Sequence, residues 1–182
     1  STTRDVLDNL DAKQGPEQLR YFFLRGHYRS EINFTGEALD DAGNSLRGLY
    51  TALREVPPAH VATIDWSNPY AARFRDAMDD DFDTPIAFAV LHELRGEVNR
   101  TKSPELAGLL KALGGTVGLL QSDPAQFLQG AVQVDVDALL AERREAKKVK
   151  NYARADEIRK QVEAMGIVIE DKPDGSTVWR KK

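Results

Sequence analysis

The residues that could do chemistry in this chain are few and scattered. Histidine occurs at His27, His60 and His92, with none of the short spacings, such as His-Glu-x-x-His, that bring two imidazoles to one metal ion. Four aspartates crowd into "MDDDFDTP", at Asp79, Asp80, Asp81 and Asp83. They lack the glycine and the distal glutamate with which a calcium loop turns the chain and closes its coordination shell. Their place between two helical patterns, just ahead of Pro85, suits them to ending one helix and capping the next. Cysteine is absent, which removes disulfides, thiol nucleophiles and thiolate metal sites. No glycine-rich phosphate loop and no Gly-x-Ser-x-Gly elbow occurs. The sequence offers no recognisable catalytic set.

Chemistry of another kind concentrates near the C-terminal end. The chain of 182 residues carries a net charge of -4, unevenly spread. Residues 1–130 hold 13 Lys+Arg against 19 Asp+Glu, whereas residues 141–160 hold 8 against 4. Overall charge gives no hint of a nucleic-acid partner, but this segment does. A solvated helix face would have the same composition. The stretch "NYARADEIRKQVEAMGIVIED" reads as a short basic helix with an aromatic residue in its first turn, a break at Gly166, and a strand ending in acids.

The elements that must position these residues are mostly helices. "TTRDVLDNL" and "GPEQLRYFFLRG" read as two short ones, the second with Pro16 in its first turn and Gly26 as its stop. In "TGEALDDAGNSLRGLYTALREV", Leu39, Ala42, Leu46, Leu49, Leu53 and Val56 recur at steps of three and four, and Pro57-Pro58 ends the run. "NPYAARFRDAM" follows. "TPIAFAVLHELRGEVNR" is expected to bury Ile86, Val90, Leu91, Leu94 and Val98. "SPELAGLLKALGGTVGLLQ" has Gly114-Gly115 as a soft spot, and "DPAQFLQ" is a short final piece. The first 130 residues thus predict an antiparallel helical bundle with short connections.

Gly130 and a loss of helical periodicity in "QGAVQVDVD" predict a mobile linker over about 129–136. Residues 135–182 predict a small α+β unit: a helical hairpin, with Asn151 capping its second helix, and a β-hairpin of "IVIED" and "STVWR" around the turn "KPDG". Such a ribbon is marginal alone and must pack on the helices, through Ile167, Ile169 and Val178. The fold class is therefore mainly α, a helical bundle with a small C-terminal α+β unit. No run of apolar residues is long enough to span a membrane.

"GPEQLRYFFLRGHYRSEINFT", "AMDDDFDTP", "ADEIR" and "GIVIEDKPDGSTVWR" resemble, in order, landmarks of cysteinyl-tRNA synthetases. The resemblance covers nearly the whole chain and is thin over 56–75 and 100–135. "LRYFFLRGHYR" and the ending "GIVIED" followed by Gly, Thr and Trp-Arg are its specific parts. "TTRDVL" resembles the stretch just after the KMSKS-type loop, so the chain is expected to be a piece of a longer enzyme. The nucleotide-binding fold, the HIGH-type and KMSKS-type signatures and the family's zinc ligands do not occur in it. The resemblance implies a DALR-like anticodon-stem domain over 1–130 and an anticodon-binding domain over 135–182. It implies tRNA(Cys) and the catalytic domain as partners, ATP and zinc as cofactors of the parent enzyme with none in this chain, and a monomer in the cytoplasm with no membrane partner. This chain alone is expected to be inactive as a ligase. The related ligase that joins cysteine to an amino-sugar lacks the terminal part, and "GIVIEDKPDGSTVWRKK" argues against it.

Recognition of an anticodon uses aromatic platforms and edge hydrogen bonds to unstacked bases. Tyr152 matches a position where the family often has Trp, and its ring could stack a base. Asp156 and Asp171 match the acids of "A-D" and "L-E-D" in the family. A carboxylate accepts hydrogen bonds only, which suits the amine and imino edges of guanine or the amine of cytosine. Lys147 falls where the family often has Arg, and Lys148, Lys150 and Arg154 surround it as phosphate contacts. Each has a structural alternative. Tyr152 could pack the hairpin onto the bundle, Asp156 could pair with Lys160 one turn on, and Asp171 could serve the turn before Lys172-Pro173. Trp179 reads as core rather than as a base platform. The competing reading of the whole is a structural or protein-interaction helical module whose basic hairpin is merely solvated.

Overall fold

A computed structural model describes residues 15–26, 36–80 and 83–182. The expected first helix, His27 and Asp81 lie outside the described residues. The described part holds seven helices and one two-stranded ribbon, and the chain divides into two units, Ser1–Gln129 and Gly130–Lys182.

In the first unit, α1 spans 15–25 and ends at a bend on Gly26. It is followed by α2 (Gly36–Glu55), α3 (Pro69–Asp79), α4 (Thr84–Thr101) and α5 (Pro104–Thr116). Their entries follow side-chain chemistry. Asn68, Asp83 and Ser103 each accept a hydrogen bond from a backbone N–H of the next turn, and a proline follows within two residues. Asp83 is thus a cap, as its position suggested, and Asp80 closes the helix before it. Each cap satisfies an amide that the helix cannot, an effect of about 1 kcal/mol.

Ala42, Leu46, Leu49 and Leu53 of α2 form one core with Phe74 of α3, Val90, Leu91, Leu94 and Val98 of α4, and Leu110 and Leu113 of α5. Ile86 departs from expectation: it is 54% exposed. It sits in the first turn of α4, about 140° around the helix from Leu91, and Ala87 and Phe88 are buried in its stead. The glycine pair does not break α5. Gly114 lies against the side chain of Leu120, whose backbone is left-handed at φ 65. That unusual turn is held by Glu17, which accepts from Leu120 N at 2.7 Å and from the Tyr50 hydroxyl at 2.7 Å.

The expected linker is not there. Helix α6 runs unbroken from Pro124 to Lys148, through Gly130. One glycine weakens a helix by only about 1 kcal/mol. The alternation of Val132, Val134 and Val136 mimics a strand, but Val132, Val136, Leu139 and Leu140 also fall on one helical stripe, and that stripe is packed in the second unit's core. Burial decides between the two periods.

The second unit continues with α7 (Tyr152–Ala164), β1 (Ile167–Asp171) and β2 (Thr177–Lys181), the strands pairing antiparallel. Ile158 and Val162 of α7 join Val136, Leu140, Ile167 and Ile169 in its core. The register sets Ile169 opposite Trp179 and Glu170 opposite Val178. Directly opposed residues share a face, so Trp179 packs inward with Ile169 while Val178 is exposed. The expected role of Val178 therefore belongs to Trp179.

Candidate nucleic-acid interface

The predicted site residues gather around the elbow between α6 and α7. Lys147 and Lys148 lie in the last turn of α6, where cations also offset the negative end of the helix dipole. Val149, Lys150 and Asn151 make the elbow. Asn151 N donates to the Ala146 carbonyl at 2.8 Å, and Lys150 takes a left-handed backbone, φ 59. That conformation is the usual province of glycine at a helix end and costs another residue about 1–2 kcal/mol. The Asn151 side chain then caps α7 by accepting from Arg154 N.

Tyr152 opens α7 and is 60% exposed. Its ring takes no part in the second unit's own core. Asp156 follows one turn later on the same face, also exposed. It makes no hydrogen bond or ion pair among the described residues, and the pair with Lys160 does not form. Lys148 pairs with Glu145 at 2.8 Å. Arg154 reaches Glu142 at 2.8 Å and Glu157 at 3.2 Å. These are exposed pairs of small worth, and phosphate could displace them.

Asp171, at the end of β1, is brought to Lys147: Nζ donates to Oδ2 at 3.1 Å. The larger finding there is Arg143. The residue is buried, 3% exposed, and its Nη1 donates to Asp171 Oδ1 and its Nη2 to Oδ2, both at 2.8 Å. Thr177 Oγ1 donates to Oδ1 at 3.0 Å. Arg143, then Lys147 and Thr177, hold the Asp171 carboxyl far below the usual carboxylate range, against the opposing effect of its partial burial. Arg143 is correspondingly held charged, chiefly by Asp171 and to a lesser degree by Asp156. Asp156 therefore lies within electrostatic reach of the same group.

Sequence reading missed Arg143 and Thr177. The signal for Arg143 was present: it continues the apolar stripe of Val136 and Leu140 and precedes Lys147 by one turn, so a charge had to lie at the edge of the core. Its partner could not be read, because the register that brings Asp171 to it is set by tertiary packing.

No group of three His, Cys, Asp or Glu side chains among the described residues is placed to hold a metal ion. No helix among the described residues is long and apolar enough to cross a membrane.

Comparison with known proteins identifies the domains. Residues 73–121 match the DALR domain, and residues 130–180 match the cysteinyl-tRNA ligase anticodon binding domain. A cysteine–tRNA ligase of Polaromonas sp. (strain JS666 / ATCC BAA-500) is 54% identical over 97% of this chain and 38% of its own length. One of Ralstonia nicotianae is 51% identical over 99% of this chain and 40% of its own. One of Polaromonas naphthalenivorans is 52% identical over 97% and 38%. The chain thus spans about two fifths of the length of the relatives it matches. It belongs to the cysteinyl-tRNA synthetase family and corresponds to the part of it that holds the DALR and anticodon binding domains.

Proposed function

We propose that this chain binds tRNA(Cys) by its anticodon arm, the second unit reading the GCA anticodon and the helical bundle over 1–130 meeting the anticodon stem, so that a catalytic domain can charge the tRNA with cysteine. The reading takes the parent to be an ATP-dependent, zinc-containing ligase working as a monomer in the cytoplasm.

The observation that carries it is the α6–α7 elbow. Lys147, Lys148 and Lys150 shortly precede the exposed Tyr152 in the chain, at the end of α6 and in the elbow, with the exposed Asp156 one turn further along. A solvated surface has no use for an exposed aromatic ring flanked by cations, whereas an unstacked loop base needs a ring and a phosphate needs the cations. Carboxylates beside such cations are repelled by phosphate, so an acid kept there suits a base edge rather than the backbone.

The division of roles follows from what each group already holds. Tyr152 stacks. Asp156, free of hydrogen bonds among the described residues, accepts from a base. Lys147, Lys148, Lys150 and Arg154 meet phosphates. Asp171, its carboxylate already engaged, offers at most one acceptor position. A structural helical module is the competing reading, and binding of tRNA(Cys) across a salt series separates the two. Phosphate contacts give log K a slope of about -0.9 per phosphate neutralised in duplex and about -0.7 in single strands. Binding with a slope of several units supports the proposal, and absence of binding at low salt removes it.

A further inference from the structure

Arg143 is the least exposed charged side chain of the second unit's site, and its fork is spent on one partner. Nη1 and Nη2 go to the two oxygens of Asp171, while its Nε is buried with no acceptor among the described residues. A carboxylate offers about four lone-pair positions, and here four donors fill them: the two of Arg143, Thr177 on Oδ1 and Lys147 on Oδ2. The donors are not equal. Arg143 is buried, and a planar guanidinium engaged bidentately fixes the carboxylate in plane and direction. Thr177 is the cross-strand partner of Asp171. Lys147 alone is exposed and carries its charge on a flexible four-carbon stem, so it can leave at least cost.

We propose that Arg143 is the positioning residue of the anticodon site: it fixes the Asp171 carboxylate so that the Oδ2 lone pair held by Lys147 is the one acceptor of Asp171 that an RNA base can take, and thereby sets which base Asp171 reads. This deepens the RNA-binding reading and rests on it. On binding, the Lys147 ammonium moves to a phosphate oxygen, and the exocyclic amine of one anticodon base donates to the vacated position. No proton changes hands. The carboxylate stays ionised throughout, since the buried guanidinium remains beside it.

The test uses the full 182-residue chain and four RNA stem-loops. One carries GCA; the others carry inosine for G, purine riboside for A, or zebularine for C, each deleting one exocyclic amine. The wild-type chain should bind one analogue about tenfold or more weakly than GCA. Arg143→Met should bring that ratio to within about twofold while the far-UV circular dichroism stays unchanged, and Arg143→Lys should restore part of it, having charge but no fork. Lys147→Met should weaken all four stem-loops alike and keep the ratio. If Arg143→Met fails to fold, Thr177→Val takes its place, since it removes one anchor from Asp171 and retains a strand-forming shape; it should lower the ratio. A folded Arg143→Met, or in its place a folded Thr177→Val, with the full ratio overturns the proposal. So does wild-type binding of GCA with no loss for any analogue, which leaves the RNA-binding reading standing. No binding of any stem-loop fails that reading itself.

Discussion

Ile169 and Trp179 face each other across the antiparallel ribbon, and the Trp179 indole N–H donates to Asp137 Oδ1 of α6 at 3.2 Å. This pair seats the ribbon on its helices and carries Asp171, two residues beyond Ile169, to Arg143. Ile169→Ala should therefore cost the second unit about 2–5 kcal/mol through lost burial and a residual cavity. Val178→Ala, on the outer face, should change it by about 0.5 kcal/mol or less. Urea denaturation followed by Trp179 fluorescence in a Trp66→Phe background measures both. Equal effects would mean that the ribbon's faces are assigned wrongly.

Lys150 holds a left-handed backbone that glycine adopts freely. Lys150→Gly should relieve strain and stabilise the elbow by about 0.4–1 kcal/mol, since the penalty removed exceeds the entropy glycine adds to the unfolded chain. The same change removes a cation from the RNA face and should reduce the salt slope of tRNA binding by about one unit. Thermal melts and a salt titration read the two effects separately, and a stabilised variant with an unchanged slope would take Lys150 off the interface.

The buried hydroxyl of Tyr50 donates to Glu17, and its ring stacks on Phe127 at 3.9 Å. Burial, and then the Glu17 hydrogen bond, raise its ionisation above the usual tyrosine value. A folded-state pKa above the unfolded one gives stability that is complete below about pH 10 and lost as pH rises through and beyond that value. The first unit should therefore weaken in alkali above about pH 10. Tyr50→Phe should remove that part of the dependence while costing about 1 kcal/mol near neutral pH, because Glu17 loses a donor. Stability curves of the two proteins from pH 8 to 11 decide it, and parallel curves would count against this account.

Gly108 lies in α5 against the backbone carbonyl of Ala59, where an added Cβ would collide. That carbonyl cannot easily retreat, because Ala59 N donates to the Pro104 carbonyl at 2.9 Å. Gly108→Ala should destabilise the first unit by about 1–3 kcal/mol, although alanine is the better helix former. Chemical denaturation would show the sign, and a stabilised variant would contradict the close approach.

The helices and the ribbon were legible because their signals are local. Asn68, Asp83, Ser103 and Asn151 announce helix starts, and Gly175 in "KPDG" announces the turn. The errors lie where two patterns competed. Val132, Val134 and Val136 read as a break in periodicity, and the packing of Val132 and Val136 in the second unit's core made the segment helix. Val178 and Trp179 differ by one residue, and a shift of one exchanges the faces of a strand. At the candidate site, the exposed Tyr152 and Asp156 could be placed from spacing on one helix. The hold of Arg143 on Asp171 joins residues far apart in sequence, and no spacing announces it.

The claim that the elbow reads an anticodon is tested most directly by competing a GCA stem-loop against stem-loops altered at single anticodon positions, for the wild-type chain and for Tyr152→Ala and Asp156→Ala. Tyr152→Ala should weaken binding of every stem-loop by about 1–3 kcal/mol, as loss of a sequence-tolerant stack does. Asp156→Ala should cost about 1–3 kcal/mol against GCA and lose discrimination at one position only. If Asp156→Ala instead leaves all the relative affinities of the wild type in place, Asp156 reads no base and the elbow is not the anticodon site.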